Sequence, residues 1–104
     1  MHIVIFVTAK DRDEAAKIAE KLVADKLIAC ANIVPGIQSV FRWEGEVDRA
    51  DEVLLILKTG KNLFGKVVET VKSLHSYDLP EIIALPIIDG SKDYLAWIDS
   101  SVQA

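Results

Sequence analysis

Three segments that read as strands are apolar on both sides, and this feature constrains the fold most. Residues 3–7, 53–57 and 82–88 are runs of β-branched and aliphatic residues without the polar alternation of a half-solvated strand. Successive side chains of a strand point in opposite directions, so a sheet built from these runs is apolar on both faces. Such a sheet needs cover on each face.

Helices predicted between these strands can supply part of that cover. Asp11 can cap a helix, with Glu14 three residues later as in a capping box, and the following apolar residues share one side. A second amphipathic helix is predicted over residues 62–74, and Ser91 caps a third near the C-terminus.

A long hairpin is predicted between the first two helices. A strand over residues 28–34 bends at Pro35-Gly36, resumes over 37–43, turns at Glu44-Gly45 and returns over 46–59. A fourth strand over 81–88 contains Pro86, which favours an edge or strand-end position.

The predicted order is β-α-β-β-α-β with a C-terminal helix, an α+β ferredoxin-like pattern that fills one domain over residues 1–104. Right-handed crossovers place both main helices on one face of the sheet, and the last helix shields only part of the other. At roughly 25 cal/mol per Å² of apolar area, burying that face is worth many kcal/mol. We therefore expect self-association with closed rotational symmetry.

Charge and cysteine content narrow the partners. The formal net charge is −4, and the 12 basic residues form no stripe, so no nucleic-acid partner is expected. One cysteine excludes an intrachain disulfide, and the apolar run at 3–7 is too short for the core of a signal peptide. Nothing reaches the length of a membrane span. These features predict a cytoplasmic protein without a membrane partner.

Four groups of residues could carry chemistry. Cys30 and Asn32 share one strand face, where a lone thiol is most simply a small core residue. Phe41 and Trp43 project together near the hairpin tip, which favours a subunit contact over a ligand.

The third group is Glu52 and Lys58, which share one face of the third strand; such charges are usually solvated, but Lys58 could attract an anion in an interface cleft. The fourth is the connector 75–81, where His75, Tyr77 and Glu81 could supply a general base, metal ligands or hydrogen-bond donors. The simpler interpretation of His75 is a histidine favoured at a helix C-terminus by the dipole.

Several motifs are absent. The chain has no CxxC, no glycine-rich phosphate loop and no G-x-S-x-G, and neither histidine has a partner at metal-ligand spacing. The aromatic positions of an RNA-binding sheet are also missing.

Taken together, residues 27–33, 39–45, 52–59, 75–82 and 93–97 resemble the CutA divalent-cation tolerance family in order and spacing. The resemblance implies a homotrimer with an architecture like that of PII signalling proteins, with ligands bound in clefts between subunits. Copper binding in the family draws on a cysteine in the first strand and paired histidines; this chain has Val7 and Leu74 there, which leaves His75 as the candidate ligand for a divalent metal such as copper. The other cleft residues that the resemblance implies are Cys30, Asn32, Trp43, Lys58, Tyr77 and Glu81.

Three functions remain open at this point. The first is a non-enzymatic trimer of the metal-tolerance type that binds a divalent cation or a small ligand. The second is a PII-like sensor in which an anionic metabolite binds Lys58. The third is a small hydrolase or isomerase that uses His75, Tyr77 and Glu81 as acid and base.

Overall fold

Four antiparallel strands form one sheet in the order β2-β3-β1-β4, with three helices packed on it. The structure is a computed structural model that describes residues 1–104. Its α+β ferredoxin-like element order confirms the predicted fold class. The elements are β1 (His2–Ala9), α1 (Arg12–Ala24), β2 (Cys30–Trp43), β3 (Glu46–Gly60), α2 (Phe64–Leu74), β4 (Ile82–Pro86) and α3 (Lys92–Ser101).

Caps define the starts of α1 and α3. The Asp11 side chain accepts a hydrogen bond from the Glu14 backbone N–H at 2.8 Å, and that of Ser91 accepts one from the Tyr94 N–H at 3.2 Å. Each bond satisfies a donor that the first helical turn leaves free. Helix α2 has no side-chain cap and instead follows a short 3₁₀ turn at Lys61–Leu63.

One face of the sheet, here called the core face, is closed by α1 and α2. The antiparallel register places Ile5 beside Leu57 and Val7 beside Leu55, and all four side chains are completely buried. They belong to one cluster of 16 buried apolar residues to which both helices contribute. The core therefore lies between this face and the two crossover helices, as the topology requires.

The other face, here called the open face, is apolar but only partly covered. Phe6 and Ile56 pair across β1 and β3 and are half-buried, whereas Ile83 on β4 remains 50% exposed. Helix α3 packs on β3 and buries Ile98 completely. Strands that are apolar on both sides are thus confirmed. The open face comprises Val4, Phe6, Cys30, Asn32, Val34, Leu54, Ile56, Lys58, Ile83 and Leu85.

The long hairpin continues this open face because of a β-bulge. Val34 pairs with Leu54, but the next pair is Ile37 with Glu52, so β2 holds one extra residue at Pro35-Gly36. One extra residue reverses which side chains point to which face. Gly36 fits this bend because its φ of +78° lies in the left-handed region that glycine adopts without strain.

Two predicted strand boundaries need correction. Strand β4 ends at Pro86 rather than at residue 88, and β2 starts at Cys30 rather than at residue 28. The predicted bend at Pro35-Gly36 is a bulge within this one strand. Proline lacks a backbone donor, which fits its place at the end of an edge strand.

Candidate ligand-binding site

His75 lies at the C-terminal end of α2 with its side chain fully buried. Its Nε2 lies 2.7 Å from the Thr8 carbonyl oxygen, and its Nδ1 lies 3.0 Å from the Tyr77 backbone nitrogen. A carbonyl only accepts and a backbone N–H only donates, so these partners assign the ring proton to Nε2. Both ring nitrogens are therefore used inside the chain.

The Glu14 carboxylate ties the same connector to α1. One oxygen lies 3.6 Å from His75 Nδ1, and the other accepts a hydrogen bond from the Ser76 backbone N–H at 3.1 Å. Glu14 is itself buried although it stands in the first turn of a helix. The connector after α2 is thus held at once by β1 and by α1.

Tyr77 extends this network to the base of the hairpin. Its hydroxyl donates to Glu52 Oε2 at 2.9 Å, its ring lies 4.7 Å from the His75 ring, and Glu52 is only 8% exposed. Burial raises the pKa of Tyr77 to about 12, with further contributions from the hydrogen bond to Glu52 and from nearby carboxylates. We call His75, Glu14, Tyr77 and Glu52 the His75 cluster.

A second polar group lies further along β3 on the open face. Cys30 pairs directly with Lys58, and the Lys58 ammonium donates to Asn32 Oδ1 and lies 4.0 Å from the Cys30 sulfur. The Tyr94 side chain reaches the same place from α3; burial and then the Cys30 thiol raise the pKa of Tyr94. We call Lys58, Cys30, Asn32 and Tyr94 the Lys58 cluster. Cys30 is half-buried in this cluster and is not a core residue.

The structure does not bring the seven predicted site residues together within one chain. Glu52 and Lys58 are six positions apart on β3, which separates the two clusters by roughly 20 Å at about 3.3 Å per residue. Trp43 lies at the far end of β2 from Cys30, roughly 40 Å away by the same rise. Glu81 is exposed beside the start of β4 and joins neither cluster.

Residues of a single chain do not fit a divalent metal. No group of three or more His, Cys, Asp or Glu side chains is placed to hold an ion. His75 would have to give up a hydrogen bond to coordinate one, and Cys30 lies beside the Lys58 ammonium, which repels a cation. The hydrogen bonds of His75 thus count against it as a metal ligand, and they leave no free ring nitrogen for acid–base catalysis.

Sequence reasoning missed two residues. Glu14 is predicted only as part of a helix cap, and Tyr94 is not among the predicted site residues. Glu14 contacts a residue 62 positions away, a separation for which a helix-start pattern gives no signal. A surface depression of about 590 Å³ lies among Asp25, Lys66, Gln103 and neighbouring residues, none of which belongs to either cluster. It is wide open and has one apolar lining residue, so we assign it no ligand.

Comparison with known proteins gives consistent results. The sequence profile of the CutA1 divalent ion tolerance protein family matches residues 3–101. A divalent-cation tolerance protein CutA of Thermus thermophilus is 47% identical over 94% of this chain and 95% of its own length. One of Archaeoglobus fulgidus is 46% identical over 99% of this chain and all of its own length.

Solved structures agree in fold. The divalent cation tolerance protein of Thermus thermophilus superimposes with a TM-score of 0.97 at 45% identity over 99% of this chain and 100% of its own. The CutA structure of Archaeoglobus fulgidus superimposes with a TM-score of 0.96 at 46% identity, with the same coverage.

The predicted cytoplasmic location is wrong. The Archaeoglobus fulgidus structure is described as a periplasmic protein, and a relative from Arabidopsis thaliana, 48% identical over 97% of this chain, is chloroplastic. This chain spans only 56% of that plant protein. A single cysteine excludes an intrachain disulfide but is compatible with several compartments, so it did not support the prediction. None of the helices is both long and apolar enough to cross a membrane.

Proposed function

This chain belongs to the CutA1 divalent ion tolerance family, and on that premise we propose that it acts without catalysis, as a homotrimer that binds a divalent cation or a small ligand between its subunits. The observation that carries the proposal is the open face, an apolar surface that continues through the bulge onto the hairpin.

The bulge makes that surface continuous. Cys30 and Asn32 occupy even positions on the open face, and the extra residue moves Phe41 and Trp43, at odd positions, to the same side. Both aromatic side chains are exposed. Large exposed apolar patches with aromatic residues are typical of protein–protein contacts.

The hairpin also gives the contact a direction. From Glu46 to Glu52, β3 pairs with β2 alone, so this part of the hairpin protrudes and contributes to a long axis of 44 Å. A protruding arm that packs on a different surface of the next subunit forms a head-to-tail contact, which closes into a ring when the rotation allows it. The family resemblance favours a ring of three.

Assembly would also complete the predicted cleft. Trp43 lies far from Cys30 and Lys58 within one chain, so it can join them only from a neighbouring subunit. A cation site likewise needs ligands from more than one chain, because no single chain supplies three. We therefore place ligand binding in the assembled form.

Light scattering with two matched variants tests the assembly. Ile83 on the open face is 50% exposed, and Val23 on α1 is 45% exposed. We expect the wild type and Val23→Lys to have the mass of three chains and Ile83→Lys to shift to one chain, because only the Ile83 site would bury a charge in the contact. A folded wild-type monomer at micromolar concentration would overturn the proposal.

Calorimetric titration of Cu²⁺ tests the cation half separately. We expect a binding heat with the wild-type trimer, none with Ile83→Lys, and an unchanged heat with His75→Asn, because the His75 ring is occupied by Thr8 and Tyr77. Loss of the heat in His75→Asn with the trimer intact would make His75 a metal ligand. Negligible heat with the assembled wild type would remove the cation and leave a small ligand.

A further inference from the structure

The Lys58 ammonium carries a positive charge that nothing in the chain neutralises. The one close pair of oppositely charged side chains that does not depend on a histidine being protonated joins Lys21 to Asp25, and no carboxylate lies within 4.0 Å of Lys58 Nζ.

The closest carboxylate along β3 on the same face belongs to Glu52. Glu52 is six positions away from Lys58, and its carboxylate already accepts a hydrogen bond from the Tyr77 hydroxyl. Inside the chain, the Lys58 ammonium has only the Asn32 amide and the Cys30 sulfur as side-chain partners.

This unmatched charge lies in apolar surroundings. Lys58 follows Leu54 and Ile56 on the open face, and α3 places the rings of Tyr94 and Trp97, whose centroids lie 5.4 Å apart, at the same end of the sheet. If the open face is buried by assembly, as the proposed function holds, an unpaired ammonium there is costly unless an anion accompanies it.

We infer that the Lys58 cluster is a binding site for a small oxyanion, a carboxylate or a phosphate, in the assembled protein. This inference rests on the proposed function, because it needs the open face to be buried. It concerns only the small ligand of that proposal, and it names the charge that such a ligand would have.

The donors around Lys58 suit two oxygens of one anion. Asn32 uses its carbonyl oxygen to accept from Lys58, which leaves its NH₂ group as a donor beside the ammonium. An ammonium and a neighbouring amide can each donate to one oxygen of a carboxylate or phosphate, and charge-assisted hydrogen bonds of this kind are the stronger ones. A divalent cation, in contrast, would be repelled by the ammonium.

Thermal unfolding in the presence of defined anions tests the inference. Sodium phosphate and sodium acetate are titrated separately against sodium chloride at constant ionic strength, near neutral pH, and light scattering is recorded on every sample. The variants are Lys58→Met, which removes the charge and keeps the length, and Lys58→Arg, which keeps the charge. The matched control is Lys66→Met, because Lys66 also donates to a side-chain amide oxygen, that of Gln103, but lies on the helical side.

We expect phosphate, acetate or both to raise the melting temperature of the wild type in a saturable way, since a ligand of the native state stabilises it. Lys58→Met should weaken the apparent affinity about tenfold or more, as lost charge-assisted bonds do. Lys58→Arg and Lys66→Met should retain the response. Whichever anion raises the melting temperature, phosphate or acetate, identifies the class of oxyanion that the Lys58 cluster binds.

The inference is overturned if the trimer forms but neither anion acts through Lys58. An equal response of wild type and Lys58→Met would mean nonspecific ion effects, and no response would mean that a carboxylate of the neighbouring chain pairs with Lys58. If the wild type is a monomer, the proposed function fails first. Should Lys58→Met not fold, Asn32→Ala removes the second donor and is expected to weaken the same response.

Discussion

Strand β3 contributes Glu52 from its middle and Lys58 from near its C-terminal end to two polar clusters, and the two clusters satisfy their polar groups differently. In the His75 cluster every buried side-chain polar atom has a partner, and the bonds join β1, α1 and the connector after α2. In the Lys58 cluster a full charge meets only a neutral amide and a thiol. A network in which every polar group has a partner stabilises the fold by itself. An unpaired charge near an apolar surface, in contrast, is costly when that surface is buried unless an oppositely charged group binds it.

The largest expected change in the free energy of unfolding follows from loss of the His75 ring, and it tests whether the His75 cluster stabilises the fold. His75→Ala leaves a cavity and removes the partners of the Thr8 carbonyl and the Tyr77 N–H, so we expect it to lower the free energy of unfolding by about 3 kcal/mol. Urea unfolding at one fixed protein concentration measures this, because the proposed assembly would make stability concentration-dependent.

Two milder substitutions serve as controls for that measurement. Asn places an amide oxygen near the Nδ1 position and can still accept from Tyr77, whereas Gln can place an amide donor near Nε2 and reach Thr8. Each should recover part of the loss. A cost below about 1 kcal/mol for His75→Ala would show that the cluster does not stabilise the fold in this way.

The next largest effect concerns the bond between Tyr77 and Glu52. Tyr77→Phe keeps the ring but leaves a carboxylate that is 8% exposed without its donor, so we expect a loss of about 1.5–2 kcal/mol in the same assay. In the Glu52→Gln background, where the acceptor is a neutral amide, Tyr77→Phe should cost less. Equal costs in both backgrounds would mean that the charge of Glu52 does not contribute.

The sequence was sufficient for what depends on local pattern. Periodicity and caps predicted α1 from Asp11, and two apolar sides predicted the open face that Ile83 exposes. Turn residues also predicted the hairpin. Glu44-Gly45 lies at its tip, and both residues have a positive φ, as a tight turn of this kind requires. These features are fixed by neighbours in the chain, which a sequence displays directly.

The site could not be predicted to the same degree, because long-range packing determines it. Pro35-Gly36 signalled a bend, but only the register shows that the strand continues with its faces exchanged. The hydrogen bond between Glu14 and Ser76, and the effect of the Cys30 thiol on the pKa of Tyr94, join segments more than 60 residues apart. No periodic pattern encodes which polar side chains meet across such distances.

A pH titration sharpens the comparison through the phenol of Tyr77. In the folded state the pKa of Tyr77 is about 12, above the ordinary value of 10, because burial and then Glu52 disfavour the phenolate. The resulting stabilisation is complete below pH 10 and is lost as pH rises from 10 to about 12, since the unfolded state releases the proton first.

Ultraviolet absorbance of a Tyr94→Phe variant follows this ionisation alone, because the chain has only two tyrosines. Adding Glu52→Gln should lower the pKa of Tyr77, since it removes the carboxylate charge beside the hydroxyl. A pKa near 10 in Tyr94→Phe, or one that Glu52→Gln leaves in place, would contradict the closed network.

The smallest effect is expected at the other cluster. Lys58→Met in buffer free of phosphate and carboxylates should change the free energy of unfolding by no more than about 0.5 kcal/mol, because the lost bond to Asn32 is offset by removal of an unpaired charge from an apolar surface. Lys66→Met, measured in parallel, gives the cost of the same substitution at a solvated site. If Lys58→Met instead cost as much as His75→Ala, the Lys58 cluster would be a structural network like the His75 cluster. The proposed difference between a cluster that stabilises the fold and a cluster that binds a ligand would then be wrong.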